Sequence, residues 1–428
     1  MIDHLFKLFG LPESDRKVLK VLGLLFLLLT AANVVTISFA KALFLGANDF
    51  DALPWMFIGA ASFTAVASLV YVNVMGRWRL EQRFRGLLVL TIATFGTLGM
   101  MPADTLKSGS LIVFTWCSGM GQLLIIQAWG YSTTVLPVRQ ARRLFPVLAA
   151  AATLGAVGGG ALTALIMPFG QLASLLIATV LLLCGALATV VWASTQLQEA
   201  RSRPGREKSF GEEKHPARPV SRGFEGIRLA IRNLREIPLI RHLALLAIFL
   251  QVASVTMDFQ FSSALKLTFH PHDIATFLGG YYALANFLTF VIALAAGRRI
   301  ARFLGIGIAA SSASLTLLVG GFACVLLSML TGSGALIWGV LVTSFSERIV
   351  QFGIGKHAFN AAMTPVDARA VERAKFIIDG VGLRLATIVV SLVFVILGTR
   401  LDEIAGLSPI VIVTAAVALI FGLRLTPT

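Results

Sequence analysis

The sequence predicts an all-α polytopic membrane protein with twelve transmembrane helices arranged as two six-helix repeats. Three observations predict it: the composition suits a chain solvated by lipid, apolar stretches of spanning length recur, and the same landmarks return in order in the second half. Hydrophobic residues fill 57% of 428 positions and charged residues 13%, with a mean hydropathy of +0.85, far from the balance of a soluble domain. A hydrocarbon core of about 30 Å needs roughly 20 apolar residues per helix, and about twelve stretches meet that length. They run over 18–45, 54–76, 86–101, 109–135, 144–168, 171–195, 239–266, 275–297, 303–330, 334–361, 376–399 and 407–425. Continuous apolar runs exclude a β-barrel, whose strands alternate over short segments.

The first stretch follows the charged segment Glu13 to Lys20 and passes Ala40 without a small-residue cleavage site, so an uncleaved first span is expected. Cys117, Cys184 and Cys324 stand singly inside spans, with no CxxC pair and no histidine at ligand spacing. That pattern offers neither a disulfide framework nor a metal site, and no cofactor is expected.

The net charge of +15 is accounted for by topology rather than by a nucleic-acid partner. With the N-terminus inside, Lys7, Arg16, Lys17 and Lys20 fall in the cytoplasm, followed on that side by Arg77, Arg79, Arg83 and Arg85. Arg139, Arg142 and Arg143, then the stretch from Arg201 to Arg241, then Arg298, Arg299 and Arg302 join them. Arg369, Arg373, Lys375 and Arg424 complete that side, whereas the opposite loops carry Lys107 and Arg400. This is the positive-inside asymmetry, and it puts both termini in the cytoplasm.

Residues 196–238 interrupt the apolar pattern with Arg201, Pro204, Gly205, Glu212, Glu213, Pro216 and Pro219, a composition expected of a cytoplasmic linker. The expected domains are a six-helix bundle at 1–195, this linker, and a second bundle at 239–428. Ile227, Ile231 and Leu234 alternate with Arg228, Arg232 and Arg235 at helical spacing, which suits a short amphipathic helix on the inner leaflet or a plain connector.

The halves share landmarks. Ser38 to Phe44 (SFAKALF) ends the first span and Ser263 to Phe269 (SALKLTF) the seventh; Gly76-Arg77 and Gly297-Arg298 follow the second and eighth; Leu136-Pro137-Val138 and Thr364-Pro365-Val366 follow the fourth and tenth. Six helices per half repeated in parallel is the layout of the major facilitator fold, which holds its site between the halves near the midplane.

Several of these segments resemble the nucleotide transporter family of the ATP/ADP translocase type. Arg373-Ala374-Lys375-Phe376-Ile377-Ile378-Asp379, continuing to Arg384, is similar to the family's K-A-K-x-x-I-D-x-x-x-x-R. Thr256-Met257-Asp258-Phe259-Gln260-Phe261 is similar to its T-x-x-D-Y-Q-F, with one residue fewer before the Asp. Arg139 to Phe145 (RQARRLF) resembles R-Q-A-K-R-L-F, and Ala42 to Leu45 with Leu53-Pro54 resembles the first loop. The chain departs from the family pattern at His357-Ala358-Phe359-Asn360 and at Ser132-Thr133. The resemblance spans nearly the whole chain and implies the fold, transport, and a bacterial inner membrane.

Ionisable side chains at helix centres cost about 2.5–3.5 kcal/mol and so face a water-filled cavity or a partner. The candidates are Lys41, Asp258, Lys266, Glu347, Arg348, Lys356, Asp379 and Arg384. Their cationic excess favours an anionic solute. Lys41 and Lys266 occupy equivalent places; they either snorkel to the headgroups or pair across the cavity as ligands of a phosphate or carboxylate. Arg348 and Lys356 lie eight residues apart, broadly on one face, and Arg348 either lines the cavity or bridges an acid from another helix, since adjacent Glu347 points elsewhere. Asp379 suits a cap or gate contact near Arg373 and Lys375, with Arg384 deeper. Asp258 either neutralises Lys266 through water or titrates in a proton-coupled cycle.

Gln122, Gln127, Trp129, Tyr281, Tyr282 and Asn286 are polar handles on spans. A base or ring would stack on Trp129 or Tyr281, unless these belong to the interfacial belt. Gly155, Gly158, Gly159 and Gly160 lack the P-loop Lys-Ser/Thr and read as close helix packing. The expected function is a secondary transporter of an organic anion, a nucleotide or phosphorylated metabolite; the alternative is a phospholipid transporter of the same fold. No spaced constellation of catalytic residues indicates an enzyme. The expected assembly is a monomer, with membrane lipids as surroundings.

Overall fold

A computed structural model of the chain describes residues 13–74, 80–136, 138–201, 232, 236–295, 297–331, 333–363, 376–396 and 406–425. The amphipathic stretch expected at Gly223 to Arg235, apart from Arg232, lies outside the described residues. So do the expected connections at 75–79 and 364–375, the latter carrying Arg373 and Lys375.

The described chain is a helical bundle because each long apolar segment satisfies its own backbone, as lipid demands. In order, α1 is Glu13–Ala47, α2 Leu53–Val74, α3 Leu80–Gly99, α4 Ala103–Ser108, α5 Ser110–Val135, α6 Val138–Ile166 and α7 Ser174–Arg201. There follow α8 Pro238–Thr268, α9 Pro271–Ala295, α10 Gly297–Ala310, α11 Ser312–Thr331, α12 Ser333–Val350, α13 Lys356–Ala362, α14 Leu383–Ile396 and α15 Ser408–Leu423. Among the described residues eight helices are long and apolar enough to cross a bilayer, and α14 and α15 are shorter apolar helices. With α3 and the run from α12 into α13, this order matches twelve passes.

Some boundaries differ from expectation. The α7 helix continues through the helix-forming segment Gln196 to Arg201, beyond the expected edge at 195. The ninth span starts after a break, because Gly305 in α10 has φ 76°, a conformation only glycine adopts without strain. Single π segments, Gln351–Gly355 and Phe376–Gly382, join α12 to α13 and lead into α14.

Within the first half, α1 is the centre, packed by α5, α6 and α7. The Thr30 hydroxyl donates to Ala152 O at 2.7 Å and that of Thr36 to Thr179 Oγ1 at 3.2 Å, tying α1 to α6 and α7. Gly155 and Gly159 of α6 act as packing notches, a Cβ on Gly155 lying 2.7 Å from Leu27 Cα and one on Gly159 2.7 Å from Ala31 Cα, whereas Gly158, expected to pack with them, has nothing within 4 Å because it lies on another side of the helix. In the second half α8 packs on α12, α14 and α15, and α11 on α12 and α15. The repeat is visible in detail at Ser38 and Ser263, both fully buried, whose hydroxyls donate one turn back to Val34 O and Phe259 O.

Between the halves α1 packs on α9, and the two most extensive helix pairings are α6 with α9 and α2 with α14. These are the fifth span on the eighth and the second on the eleventh, so the repeat exchanges one pair for the other, as an axis along the membrane normal requires. At the α6/α9 crossing Gly160 and Gly279 bring the backbones together. A Cβ on Gly160 would lie 2.5 Å from Ala283 N, and one on Gly279 2.6 Å from Ala164 N.

Candidate functional site

The charged residues singled out above fall into three places. The first is between the halves. Lys41 of α1 is buried, and its Nζ lies 3.1 Å from Asp258 Oδ1 of α8 and 4.8 Å from the centre of the Phe261 ring. Asp258 therefore neutralises Lys41 directly rather than Lys266 through water. Helix length explains why Lys41 neither snorkels nor faces its repeat counterpart. The α1 helix continues six residues beyond Lys41, about 9 Å, whereas α8 ends two residues beyond Lys266.

Lys266 is consequently at the rim of the bundle, its Nζ 5.1 Å from the centre of the Phe50 ring and within electrostatic reach of Asp49. It contributes nothing to an interior site. Lys266→Gln is expected to cost no more than about 0.5–1 kcal/mol, the value of an exposed cation–π contact, which a thermal unfolding midpoint measures.

The second place is the core of the second half, one to two turns deeper along α8. Ser254 lies one turn before Asp258 on the same face, and its hydroxyl donates to Glu347 Oε1 of α12 at 2.9 Å. Gln251, three residues earlier, donates from Nε2 to Thr387 Oγ1 of α14 at 3.1 Å. Gln251, Ser254 and Asp258 thus form a polar file on α8 that meets α14, α12 and α1 in turn. Ser254 escaped the sequence reading, although its spacing of four from Asp258 was a usable signal.

Arg348 follows Glu347, midway along the run Ser333 to Ala362. Its guanidinium rests 4.9 Å from the centre of the Tyr282 ring, with Asp258 and Glu347 in electrostatic range. Among the described residues it makes no direct ion pair and no hydrogen bond. Tyr281 is occupied: its hydroxyl lies 3.1 Å from Ser344 Oγ and its ring packs on Phe261 at 4.9 Å and Phe345 at 5.5 Å. It is a wall of the cluster, not an open stacking surface.

The third place is the end that the charge pattern assigns to the cytoplasm. Lys356 opens α13, is exposed, and has its Nζ 5.4 Å from the centre of the Phe352 ring. Eight residues of α-helix would turn it about 80° from Arg348; the wider π turn at 351–355 reduces that angle. Arg384 is half-buried near the start of α14 with the charge of Asp379 in reach. Gln127 is buried in α5. Trp129 belongs to the packing of the first half, its ring 4.4 Å from Phe26 and 5.6 Å from Phe145, so it is not a free platform.

No protein-family model matches the chain, and no curated protein does. Solved structures do. A D-xylose–proton symporter superposes with a TM-score of 0.64 at 13% identity, covering 97% of this chain and 98% of its own. A POT family transporter in complex with 5-aminolevulinic acid gives 0.64 at 14%, covering 96% and 97%. The inward-open xylose transporter XylE from E. coli gives 0.62 at 13%, covering 96% of each chain. The fold is the major facilitator fold. In this major facilitator arrangement α1 and α8 are repeat equivalents, and Lys41 and Asp258 join them directly. The membership in the ATP/ADP translocase type implied by the motifs is not carried by these likenesses.

Proposed function

We propose that the chain is a secondary transporter that carries an organic anion by alternating access, with its halves, 1–195 and 239–428, rocking about the interface and linked through 196–238. The observation that carries this is Arg348. A guanidinium at mid-span with no ion pair among the described residues is expensive in a membrane, and an anionic solute supplies the missing partner. Arginine's planar fork suits a carboxylate or phosphate held by two hydrogen bonds. That structures of the same fold are transporters of small solutes supports transport, and the likeness of 256–261 and 373–384 to nucleotide transporter motifs supports a nucleotide or phosphorylated metabolite.

The state described is closed toward the side assigned to the outside. There the Lys41–Asp258 bridge, the Phe57–Phe259 ring contact at 6.2 Å and His272 Nε2 at 3.4 Å from Gly170 O join the halves. A Cβ on Gly46 would meet Pro271 Cβ at 2.7 Å. Charge distribution supports a bacterial inner membrane with both termini in the cytoplasm.

A thermal-shift screen of the purified protein against ATP, glucose 6-phosphate, malate and a short-chain phosphatidylglycerol tests the reading. A ligand of the native state at a hundred times its Kd adds about 2.7 kcal/mol of stability. Arg348→Gln removes a charge-assisted bond worth about 1.5–3 kcal/mol and should weaken binding about 10–100-fold. A shift with the phospholipid alone would replace the solute by a lipid; a shift with an anion that Arg348→Gln leaves intact would remove Arg348 from the site.

A further inference from the structure

Glu347 is buried, and among the described residues its carboxyl accepts one hydrogen bond, from Ser254. Arg348 is adjacent in sequence but points about 100° away on the helix, and its guanidinium lies on Tyr282 instead. An ionised carboxylate so placed would have a single protein donor, on Oε1, while Oε2 keeps a small accessible surface toward the space between the helices, from which a proton can reach it. The neutral acid fits: Oε1 accepts from Ser254 and Oε2 carries the proton.

The groups around it set the consequence. On α8, Asp258 faces the cluster and is held by Lys41. On α9, the Tyr282 ring lies 4.9 Å from the Arg348 guanidinium with Tyr281 in electrostatic range, and α11 brings no charged side chain. Arg348 therefore has one nearby acid committed to a lysine and another, Glu347, without charge. Its positive charge is left uncompensated when the proton is on Glu347 and partly compensated when the proton leaves.

We propose that Glu347 carries one proton with each anion bound at Arg348, so that the protein is an anion–proton symporter. The inference rests on the anion reading above and deepens it. Proton and anion favour each other because an ionised Glu347 would repel the anion and weaken the field of Arg348, and linkage makes that coupling reciprocal. The proton moves from water on one side to Glu347 Oε2 and leaves to water on the other; no bond besides this O–H is made or broken.

The test uses the full chain in proteoliposomes containing the pH dye pyranine, with ATP, glucose 6-phosphate or malate added outside. The expected result is acidification of the lumen with the anion that moves, and accumulation of that anion when the lumen is alkaline. Glu347→Gln should lower the ratio of protons to anions moved toward zero, and Glu347→Asp should restore part of it, a readout independent of how much protein inserts. An infrared difference spectrum between acid and alkaline buffer should show a protonated carboxyl band that Glu347→Gln removes. Anion movement without luminal acidification overturns the symport inference and leaves the anion reading standing. Failure of all three anions to move, in protein that folds, overturns the anion reading and symport with it. A band unchanged in Glu347→Gln takes the proton away from this residue.

Discussion

Lys41→Glu is expected to open the end of the bundle closed in this state and to stop transport, and the exchange Lys41→Asp with Asp258→Lys is expected to restore closure. The Lys41 side chain is 4% exposed and that of Asp258 40%, so the pair is buried on one side and screened on the other. Removing one partner of a buried pair costs about 3–5 kcal/mol, and the exposure of Asp258 puts this pair at the low end. Reversal adds repulsion between two carboxylates to that loss. Because the pair joins α1 to α8 across the halves, the cost falls on the closed state alone, which shifts the population of states rather than unfolding either half. A cysteine at Ser262, fully buried beside the bridge, reads the shift. In a background lacking Cys117, Cys184 and Cys324, a membrane-impermeant maleimide added outside should label Ser262→Cys only slowly. Lys41→Glu should speed the labelling and the charge exchange should slow it again. Equal labelling in all three would show that the bridge is no latch.

The sequence carries the fold further than the site for a physical reason. Hydropathy marks each span because lipid acts on each helix separately, so α1 and α8 were expected at 18–45 and 239–266 and observed at Glu13–Ala47 and Pro238–Thr268. Gly155, Gly159 and Gly160 were legible as packing notches, whereas Gly158, read with them, faces open space, because composition does not say which side of the helix meets a neighbour. The site depends on how helices distant in sequence are rotated about their axes. Ser254 and Glu347 are 93 residues apart, and Lys41 and Asp258 are 217 apart; periodicity gives each helix its faces but not which faces meet. The Lys41 and Lys266 equivalence was true of the sequence and misleading about depth, since depth is set by where each helix ends. The packing of Trp129 is hidden from the sequence in the same way, because its partners Phe26 and Phe145 lie on two other helices.

Gly160→Leu is expected to abolish the proposed transport outright, while Gly158→Leu, two residues away on the same helix, is expected to be silent. A Cβ on Gly160 would lie 2.5 Å from Ala283 N and 2.7 Å from Gly279 O, and both obstacles are backbone that no rotamer change removes. Around Gly158 nothing lies within 4 Å of the same atom, so its leucine faces open space. Overpacking costs typically about 1–3 kcal/mol where neighbours adjust, and a clash with the backbone of another helix belongs above that range. Relief requires α6 and α9 to separate, and these two helices form the most extensive pairing between the halves. Gly160→Leu should therefore lower the unfolding midpoint and abolish uptake in proteoliposomes. Gly160→Ala, which adds one methyl at the same contact, should fall between the variants. Both leucine variants add equal apolar volume to one helix, so a general effect on insertion would lower their yields alike. Normal uptake by Gly160→Leu at matched insertion would mean that α6 and α9 are not held at this distance during the transport cycle, and that the crossing at Gly160 and Gly279 is not the contact about which the halves rock.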